Sequence, residues 1–133
     1  MKTQLDKTLL DNLTEQAKVS PRLRMNYDLR NGVSDSSQRM LNAIEPGSEV
    51  PVHRHQNTSE TIVVLRGRVV EEFYNDECVC VETYEISTSG PVFALNIPAG
   101  QWHSLRALES GTVILEMKDG SYKPILYCDI LRP

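Results

Sequence analysis

The three histidines are the side chains whose spacing best suits chemistry. They are His53, His55 and His103, in a chain of 133 residues. Alternate residues of an extended strand point to the same side, so His53 and His55 are expected to share one face. Glu60 follows the turn-like segment 56–59, and a hairpin there would bring its carboxylate beside the two imidazoles. His103, at the start of another expected strand, offers a third imidazole.

Three imidazoles and one carboxylate suit one divalent transition metal, such as iron, manganese, zinc or nickel. These four ligands would leave positions open for water or substrate on a six-coordinate ion. A lone His-x-His pair on a strand is more often surface decoration, so the surroundings of the pair matter. Gly47 lies six residues before His53, and Gly67 lies seven after Glu60. Both stand where a strand is expected to turn, and glycine is the natural residue where φ is positive.

These residues resemble the two motifs of the cupin superfamily. The first motif combines a glycine, a His-x-His pair, a glutamate and a closing glycine, here Gly47, His53, His55, Glu60 and Gly67. The second motif is a Pro-x-Gly followed by a histidine, here Pro98, Gly100 and His103. The resemblance implies an all-β fold of the cupin type, an antiparallel β-barrel or jelly-roll sandwich. It also implies a metal bound by the three histidines and the glutamate.

A narrower resemblance is to the WbuC family of small cupins. It rests on a leading helix and on these residues: Ser20-Pro21-Arg22, Asn26, Gln38-Arg39-Met40-Leu41-Asn42, Pro46-Gly47 and His53-Arg54-His55. Members of that family are associated with bacterial surface-polysaccharide gene clusters. The resemblance therefore implies a small molecule related to sugars or sugar nucleotides.

The periodicity of apolar residues predicts a helix followed by strands. An apolar stripe at three- and four-residue intervals predicts an N-terminal amphipathic helix over 1–19, ended by Ser20-Pro21. After a connecting segment over 20–37, short extended runs separated by turn residues predict a β-barrel over 38–133, all within a single domain. The predicted strands are Gln38–Ile44, Val50–His55, Thr61–Leu65, Val69–Tyr74, Cys78–Ile86, Val92–Ile97, His103–Leu108, Thr112–Met117 and Leu126–Leu131.

Four arginines lie between the predicted helix and the second residue of the first predicted strand. They are Arg22, Arg24, Arg30 and Arg39. Guanidinium groups bind carboxylates and phosphates through two parallel hydrogen bonds. One interpretation pairs these arginines with neighbouring acids such as Asp28 and Asp35. The other places Arg22 or Arg39 at the mouth of the barrel, where it would hold an anionic small-molecule ligand.

Composition excludes several classes of protein. The net charge of −4 disfavours nucleic acid as a partner, because phosphate backbones require a basic face. No apolar run approaches the roughly 20 residues of a membrane span, and the N-terminus has no apolar stretch typical of a secretory signal. The odd count of 3 cysteines disfavours a disulfide framework and predicts a cytoplasmic protein, with the cysteines filling the core. Exposed sheet edges and an apolar helix predict a homodimer.

Three functions are compatible with the predicted site. The first is an enzyme in which the metal activates a substrate, water or dioxygen, as an isomerase, dioxygenase or lyase. The second is a non-catalytic ligand-binding or regulatory cupin. The third uses a histidine as a general base without metal, which the complete set of four ligands disfavours. The residues do not distinguish the first two functions, and they identify no catalytic residue.

Overall fold

The computed structural model describes residues 2–132, which form one α-helix, eight strands and a short 3₁₀ turn. Met1 and Pro133, the outer ends of the predicted helix and barrel, lie outside the described residues. The elements are α1 (Lys7–Val19), β1 (Arg24–Asp28), β2 (Gln38–Ile44), β3 (Glu60–Arg66), β4 (Arg68–Tyr74), β5 (Cys80–Ser87), β6 (Ala94–Ile97), β7 (Trp102–Ala107), β8 (Thr112–Lys118) and the 3₁₀ turn (Tyr127–Asp129).

The strands form two antiparallel sheets. The larger has the order β1-β2-β8-β3-β6, and the smaller has the order β5-β4-β7. In the larger sheet, Lys118 at the end of β8 pairs with Gln38 of β2 on one side and with Glu60 of β3 on the other. The register therefore places these three residues side by side at one end of the sheet.

Apolar side chains fill the space between the two sheets and the outer face of the larger one. The inner cluster joins Ile44, Ile62 and Ile114 of the larger sheet to Val69 and Leu105 of the smaller. The outer cluster packs the buried stripe of α1 against β2 and β8 through Leu10, Leu13, Ala17, Leu41, Ala43 and Val113. This arrangement confirms the predicted mainly β fold with two antiparallel sheets and one short helix.

The helix begins at Lys7 rather than at the start of the chain. Asp6 is its N-cap, and the Asp6 carboxylate accepts a hydrogen bond of 3.0 Å from the backbone N–H of Leu9. A carboxylate in this position satisfies an N–H group that has no partner within the helix. The helix ends at Val19, because Ser20 precedes a proline and is extended.

The segment over 20–37 is more than a connection, because it contains β1. This strand pairs along β2 from Arg24↔Ile44 to Asp28↔Met40. Met25 and Tyr27 pack against the outer apolar cluster. The alternation of these two apolar residues with polar ones is the signal for a strand, and the sequence prediction missed it.

Two predicted strands are absent from the described residues. The segment Val50–His55 is extended but has only isolated bridges at His53, to His103 and to Ile130, and Pro51 has no N–H to donate to a ladder. The segment Leu126–Leu131 contains the 3₁₀ turn instead of a strand. Leu126 and Tyr127 are 61% and 77% exposed, so no buried face supports an alternating strand there.

The cysteines do not fill the core as predicted. All three are free, and Cys80 and Cys128 are exposed. The first four residues of β5 are exposed because this strand is at the edge of the smaller sheet.

None of the helices found within residues 2–132 combines the length and the apolar character that crossing a membrane requires.

Candidate metal centre

The backbone brings the first and last histidines of the sequence into direct contact. The N–H of His53 donates to the carbonyl oxygen of His103 at 2.9 Å, and the N–H of His103 donates to that of His53 at 2.8 Å. The N–H of Gly100 donates to the carbonyl oxygen of His55 at 2.8 Å, which ties the tight turn before β7 to the same segment. The two predicted motifs are thus joined by backbone hydrogen bonds.

The three imidazoles form one cluster. The ring centroids of His53 and His103 are 4.4 Å apart, those of His53 and His55 are 5.1 Å apart, and those of His55 and His103 are 5.7 Å apart. One nitrogen from each ring lies within 4.8 Å of the other two. Three nitrogens at this spacing can hold a metal ion.

Glu60, the first residue of β3, faces this cluster. Its Oε2 is 3.4 Å from Nε2 of His55 and 3.3 Å from Nε2 of His103. Within the described residues, neither Nε2 of His55 nor Oε2 of Glu60 has a hydrogen-bond partner, although both atoms are buried. Buried polar atoms without partners are costly, and a cation between them would satisfy both. The donor set therefore fits a divalent transition metal.

Two of the imidazoles are oriented by backbone carbonyls. Nδ1 of His53 donates to the carbonyl oxygen of Pro51 at 2.8 Å, and Nδ1 of His103 donates to that of Gln101 at 2.8 Å. A carbonyl can only accept, so each Nδ1 carries the proton and each Nε2 keeps its lone pair in the neutral ring. Such outer hydrogen bonds fix the tautomer and orientation of metal-binding histidines.

Two of the four proposed ligands, His53 and Glu60, have the protonation state that metal binding requires. Burial lowers the pKa of His53 to about 4, and repulsion from His103 adds to this effect. His53 is therefore neutral at pH 7. Burial alone would raise the pKa of Glu60, but the neighbouring imidazoles of His103 and His55 outweigh it and hold that pKa well below its ordinary range. Glu60 is therefore a carboxylate.

Both glycines of the first motif adopt the backbone conformation expected of them. Gly47 has a φ of 92° and Gly67 a φ of 85°. A Cβ added at Gly67 would also lie 2.2 Å from Oγ1 of Thr112. The turn that follows β3 therefore requires glycine twice over, for its φ and for the close approach of β8.

Arg54, between His53 and His55, points away from the cluster, as alternation predicts. Its Nε donates to Oδ1 of Asp129 at 3.1 Å, and its guanidinium lies 4.3 Å from the ring centroid of Trp102. Along this segment, therefore, the two histidines point to the cavity, whereas Arg54 points the other way and forms an ion pair with Asp129 of the C-terminal turn.

A cavity of about 330 Å³ opens beside the histidines and Glu60. Arg22 lines it, so the structure brings this predicted ligand-binding residue to the predicted metal site. Arg39 does not line it. Gln38 and Met40, the neighbours of Arg39 on β2, point inwards, whereas Arg39 points outwards and pairs with Asp35 at 2.9 Å. The alternative interpretation, an ion pair within the protein, is therefore confirmed for Arg39.

Several residues of the cavity wall were not predicted from the sequence. They are Arg24, Glu116, Lys118, Tyr122 and Lys123. Burial and the charge of Glu60 raise the pKa of Glu116 to about 7. Along the inward face of β8 the apolar Ile114 is followed, at two-residue spacing, by Glu116 and Lys118, and this change is a signal that could have identified both polar residues.

The sequence matches one family model. The model described as a domain of unknown function (DUF6016) matches residues 5–86, which is more than half of the chain. None of the curated proteins matches the sequence.

Solved structures resemble the fold at low sequence identity. The capsular polysaccharide assembling protein CapF from Staphylococcus aureus matches with a TM-score of 0.66 and 21% identity, over 80% of this chain and 30% of CapF. KdgF from Halomonas sp. matches with a TM-score of 0.60 and 17% identity, over 78% of this chain and 85% of KdgF. A putative sugar phosphate isomerase from Acidithiobacillus ferrooxidans matches with a TM-score of 0.56 and 25% identity, over 71% of this chain and 58% of the isomerase.

These structures are cupin-fold proteins, and their similarity confirms that the chain has a cupin fold. The chain spans less than a third of CapF. The likeness concerns the fold, and the same fold supports many chemistries.

Proposed function

We propose that this chain, which belongs to the family described as a domain of unknown function (DUF6016), is a metal-binding cupin that binds or acts on a small molecule. In this proposal His53, His55, Glu60 and His103 hold one divalent transition metal, either iron, manganese, zinc or nickel. The observation that supports it most strongly is the pair of buried, unpartnered atoms, Nε2 of His55 and Oε2 of Glu60, at 3.4 Å within the cluster.

The protein contributes orientation and access to this site. The carbonyl oxygens of Pro51 and Gln101 hold two imidazoles with Nε2 directed to the cluster. The cavity of about 330 Å³ gives a small molecule a path to the same place. A bound metal would supply Lewis-acid or redox chemistry to a ligand in that cavity.

A relation to sugars is part of the proposal. It is supported by the resemblance to the WbuC family and by the names of two similar structures, the capsular polysaccharide assembling protein CapF and a putative sugar phosphate isomerase. The enzyme would be an isomerase, dioxygenase or lyase. The alternative is a ligand-binding or regulatory cupin without catalysis.

The metal content of the purified protein tests this proposal. We expect about one transition metal per chain, and we expect the double variant His53→Ala/His55→Ala to lose it while it stays folded. Asn57→Ala is the matched control, because Asn57 is an exposed residue of the same loop. Elemental analysis gives the metal content, and circular dichroism gives the fold. Full metal content in the double variant would refute the ligand set, and global unfolding would mean that the metal is structural.

The identity of the metal separates the two candidate functions. Redox-active iron in protein purified without added metal favours oxygen chemistry. Tightly bound zinc that no small molecule displaces favours a binding or regulatory role.

The homodimer and the cytoplasmic location remain proposals. Val79, Val81 and Phe93 are 53%, 56% and 57% exposed, and Val81 is on the edge strand β5, where pairing with a second copy would cover it. Light scattering that gives the mass of one chain at micromolar concentration would refute the homodimer. The three free cysteines support a reducing compartment.

A further inference from the structure

Four cationic side chains surround the cavity beside the histidines. Arg22 lies in the turn before β1, and Arg24 is the first residue of β1. Lys118 is the last residue of β8, and Lys123 lies in the C-terminal segment. Arg24 and Lys118 are half-buried, whereas Arg22 and Lys123 are exposed at the rim. Residues from two distant parts of the chain thus place positive charge around one cavity in a protein whose net charge is −4.

These four cations lack carboxylate partners, although most other arginines have them. Arginines elsewhere form ion pairs, including Arg30–Asp28, Arg39–Asp35, Arg54–Asp129, Arg66–Asp11 and Arg68–Glu109. Within residues 2–132, none of these four arginine and lysine side chains has a carboxylate oxygen within 4.0 Å. Glu60 and Glu116 also line the cavity, so its four cations face two acidic side chains, but none of the four is held in an ion pair with either.

Arg24 and Arg22 repel each other electrostatically. Burial lowers the pKa of Arg24, and the positive charge of Arg22 lowers it further. Nη1 of Arg24 donates to the carbonyl oxygen of Glu49 at 3.3 Å, which holds the guanidinium in place. Two guanidinium groups close enough to repel one another form a binding place for an anion.

We propose that the cavity beside the histidines binds its small molecule through a phosphate group. Arg22 and Arg24 hold this phosphate, and Lys118 and Lys123 add positive charge around it. Four cations suit a group with more than one negative charge, and guanidinium forks match phosphate oxygens in pairs. The side-chain amides of Asn26, Gln38 and Asn42 line the same cavity and suit hydroxyl groups of the same molecule. The inference rests on the proposed function, in that the cavity is the ligand site.

Titration calorimetry with inorganic phosphate and with pyrophosphate tests the inference. The metal-free protein is used first, because a bound metal would itself attract phosphate. We expect saturable binding of at least one of the two anions, at least tenfold tighter than that of acetate. Tighter binding of phosphate indicates a monoester and tighter binding of pyrophosphate indicates a diphosphate, and either result supports the inference. Acetate binding as tight as both would assign the cavity to carboxylates and overturn it.

Variants locate the binding. Arg24→Gln should weaken binding at least tenfold, and Arg24→Lys should weaken it less, because lysine keeps the charge but loses the fork. Arg106→Gln is the matched control, since Arg106 is exposed on β7 and does not line the cavity; it should change binding less than twofold. Equal affinities in wild type and both Arg24 variants would overturn the inference.

Metal content measured on the same samples separates the two hypotheses. Arg24→Gln should keep its metal, and His53→Ala/His55→Ala should lose its metal but still bind phosphate or pyrophosphate. A protein that holds metal but shows no affinity for either anion, with or without the metal, refutes the phosphate site alone. A protein that binds the anions but no metal refutes the proposed metal centre alone.

Discussion

The two ends of the space between the sheets differ, although the same strands contribute to both. At one end β3 directs Glu60 and β7 directs His103 towards the cluster. Two residues further along these strands, on the same faces, lie Ile62 and Leu105. The change from polar to apolar occurs within one step of the strand repeat. The sheets thus provide a site and a core from a single set of inward-facing positions.

This contrast assigns stability and binding to different places. The apolar end contains Ile44, Ile62, Val69, Ile86 and Ile114, each with 0% exposure, and burial of such side chains stabilises the fold by about 1.5–3 kcal/mol each. The polar end concentrates imidazoles, carboxylates and unpaired cations, which would gain partners on binding the proposed metal and anion. Substitutions at one end should therefore change the free energy of unfolding, and substitutions at the other should change affinity.

Glu71 of β4 lies at the boundary and belongs to neither end. It is 0% exposed, and neither of its carboxyl oxygens has a hydrogen-bond partner within the described residues. Burial raises its pKa to about 10, and the charges of Glu60 and Glu116 contribute. Glu71 is therefore a neutral carboxyl group at pH 7.

The largest effect is expected at the apolar end. Ile62→Ala should lower the free energy of unfolding by about 2–5 kcal/mol, because it leaves a cavity among fully buried side chains. Urea denaturation of the metal-free protein measures the loss. Ile125→Ala, which shortens a side chain 42% exposed in the cavity wall, is the control and should cost less than about 1 kcal/mol. Equal losses would contradict the division between the two ends.

The next effect concerns the boundary. The ordinary pKa of the Glu71 carboxyl is 4.5 and the folded value is about 10, so between these values the folded state holds a proton that the unfolded state releases. Stability from this group is complete below pH 4.5 and falls as pH rises, by about 1.4 kcal/mol per pH unit. Glu71→Gln should remove this slope, so that its stabilising effect is about 3 kcal/mol larger at pH 8 than at pH 6.

Denaturation curves at pH 6, 7 and 8 measure the slope. Glu72→Gln is the matched control, because Glu72 is the next residue of β4, points outwards, and is only loosely paired with Arg106 at 3.9 Å. It should leave the slope unchanged. A Glu71→Gln variant with the slope of the wild type would show that Glu71 is not held neutral.

The residues of the candidate metal site could be predicted because unusual residue types occur at short, regular spacings. The alternation of His53 and His55 and the turn before Glu60 are local features, and the structure brings all four predicted side chains together. The cations could not be predicted in the same way. Lys118 reaches the cavity through the pairing of β8 with β2 and β3, and Lys123 lies in the segment that follows β8. Tertiary contacts, and not spacing along the chain, bring these two cations to the cavity of Arg22 and Arg24.

The strands show the same limit. The range Gln38–Ile44 was predicted with the bounds that the structure has, because it has a central position between β1 and β8 and a strong apolar pattern. The strand β1 was missed because it is an edge strand whose inward residues, Arg24 and Asn26, are polar. Arg24 and Asn26 face the cavity, so the sequence pattern of β1 resembles that of a solvent-exposed segment. The cationic wall of the cavity was therefore harder to predict than the candidate metal ligands.

The smallest expected effect is the contribution of His53 to the pH dependence of metal binding. An imidazole with the ordinary pKa of about 6.5 would lose metal affinity about tenfold between pH 7.5 and pH 5.5, because protons compete for its nitrogen. Three such ligands would give a loss near a thousandfold. Burial lowers the pKa of His53 to about 4, so His53 stays neutral across this range and adds less than about twofold. The total loss should therefore be smaller than that of three ordinary imidazoles.

Competition with a chelator of known affinity at both pH values measures this loss, and circular dichroism at each pH excludes acid unfolding. A thousandfold loss would show that His53 takes up a proton as readily as an exposed imidazole, and hence that the polar end is open to water at this ring. Unchanged affinity would show that histidines are not the principal ligands. The expected result is an intermediate loss, with fewer than three protons taken up per metal released. Burial keeps the Nε2 of His53 free of protons across this pH range, so His53 does not contribute to the proton uptake.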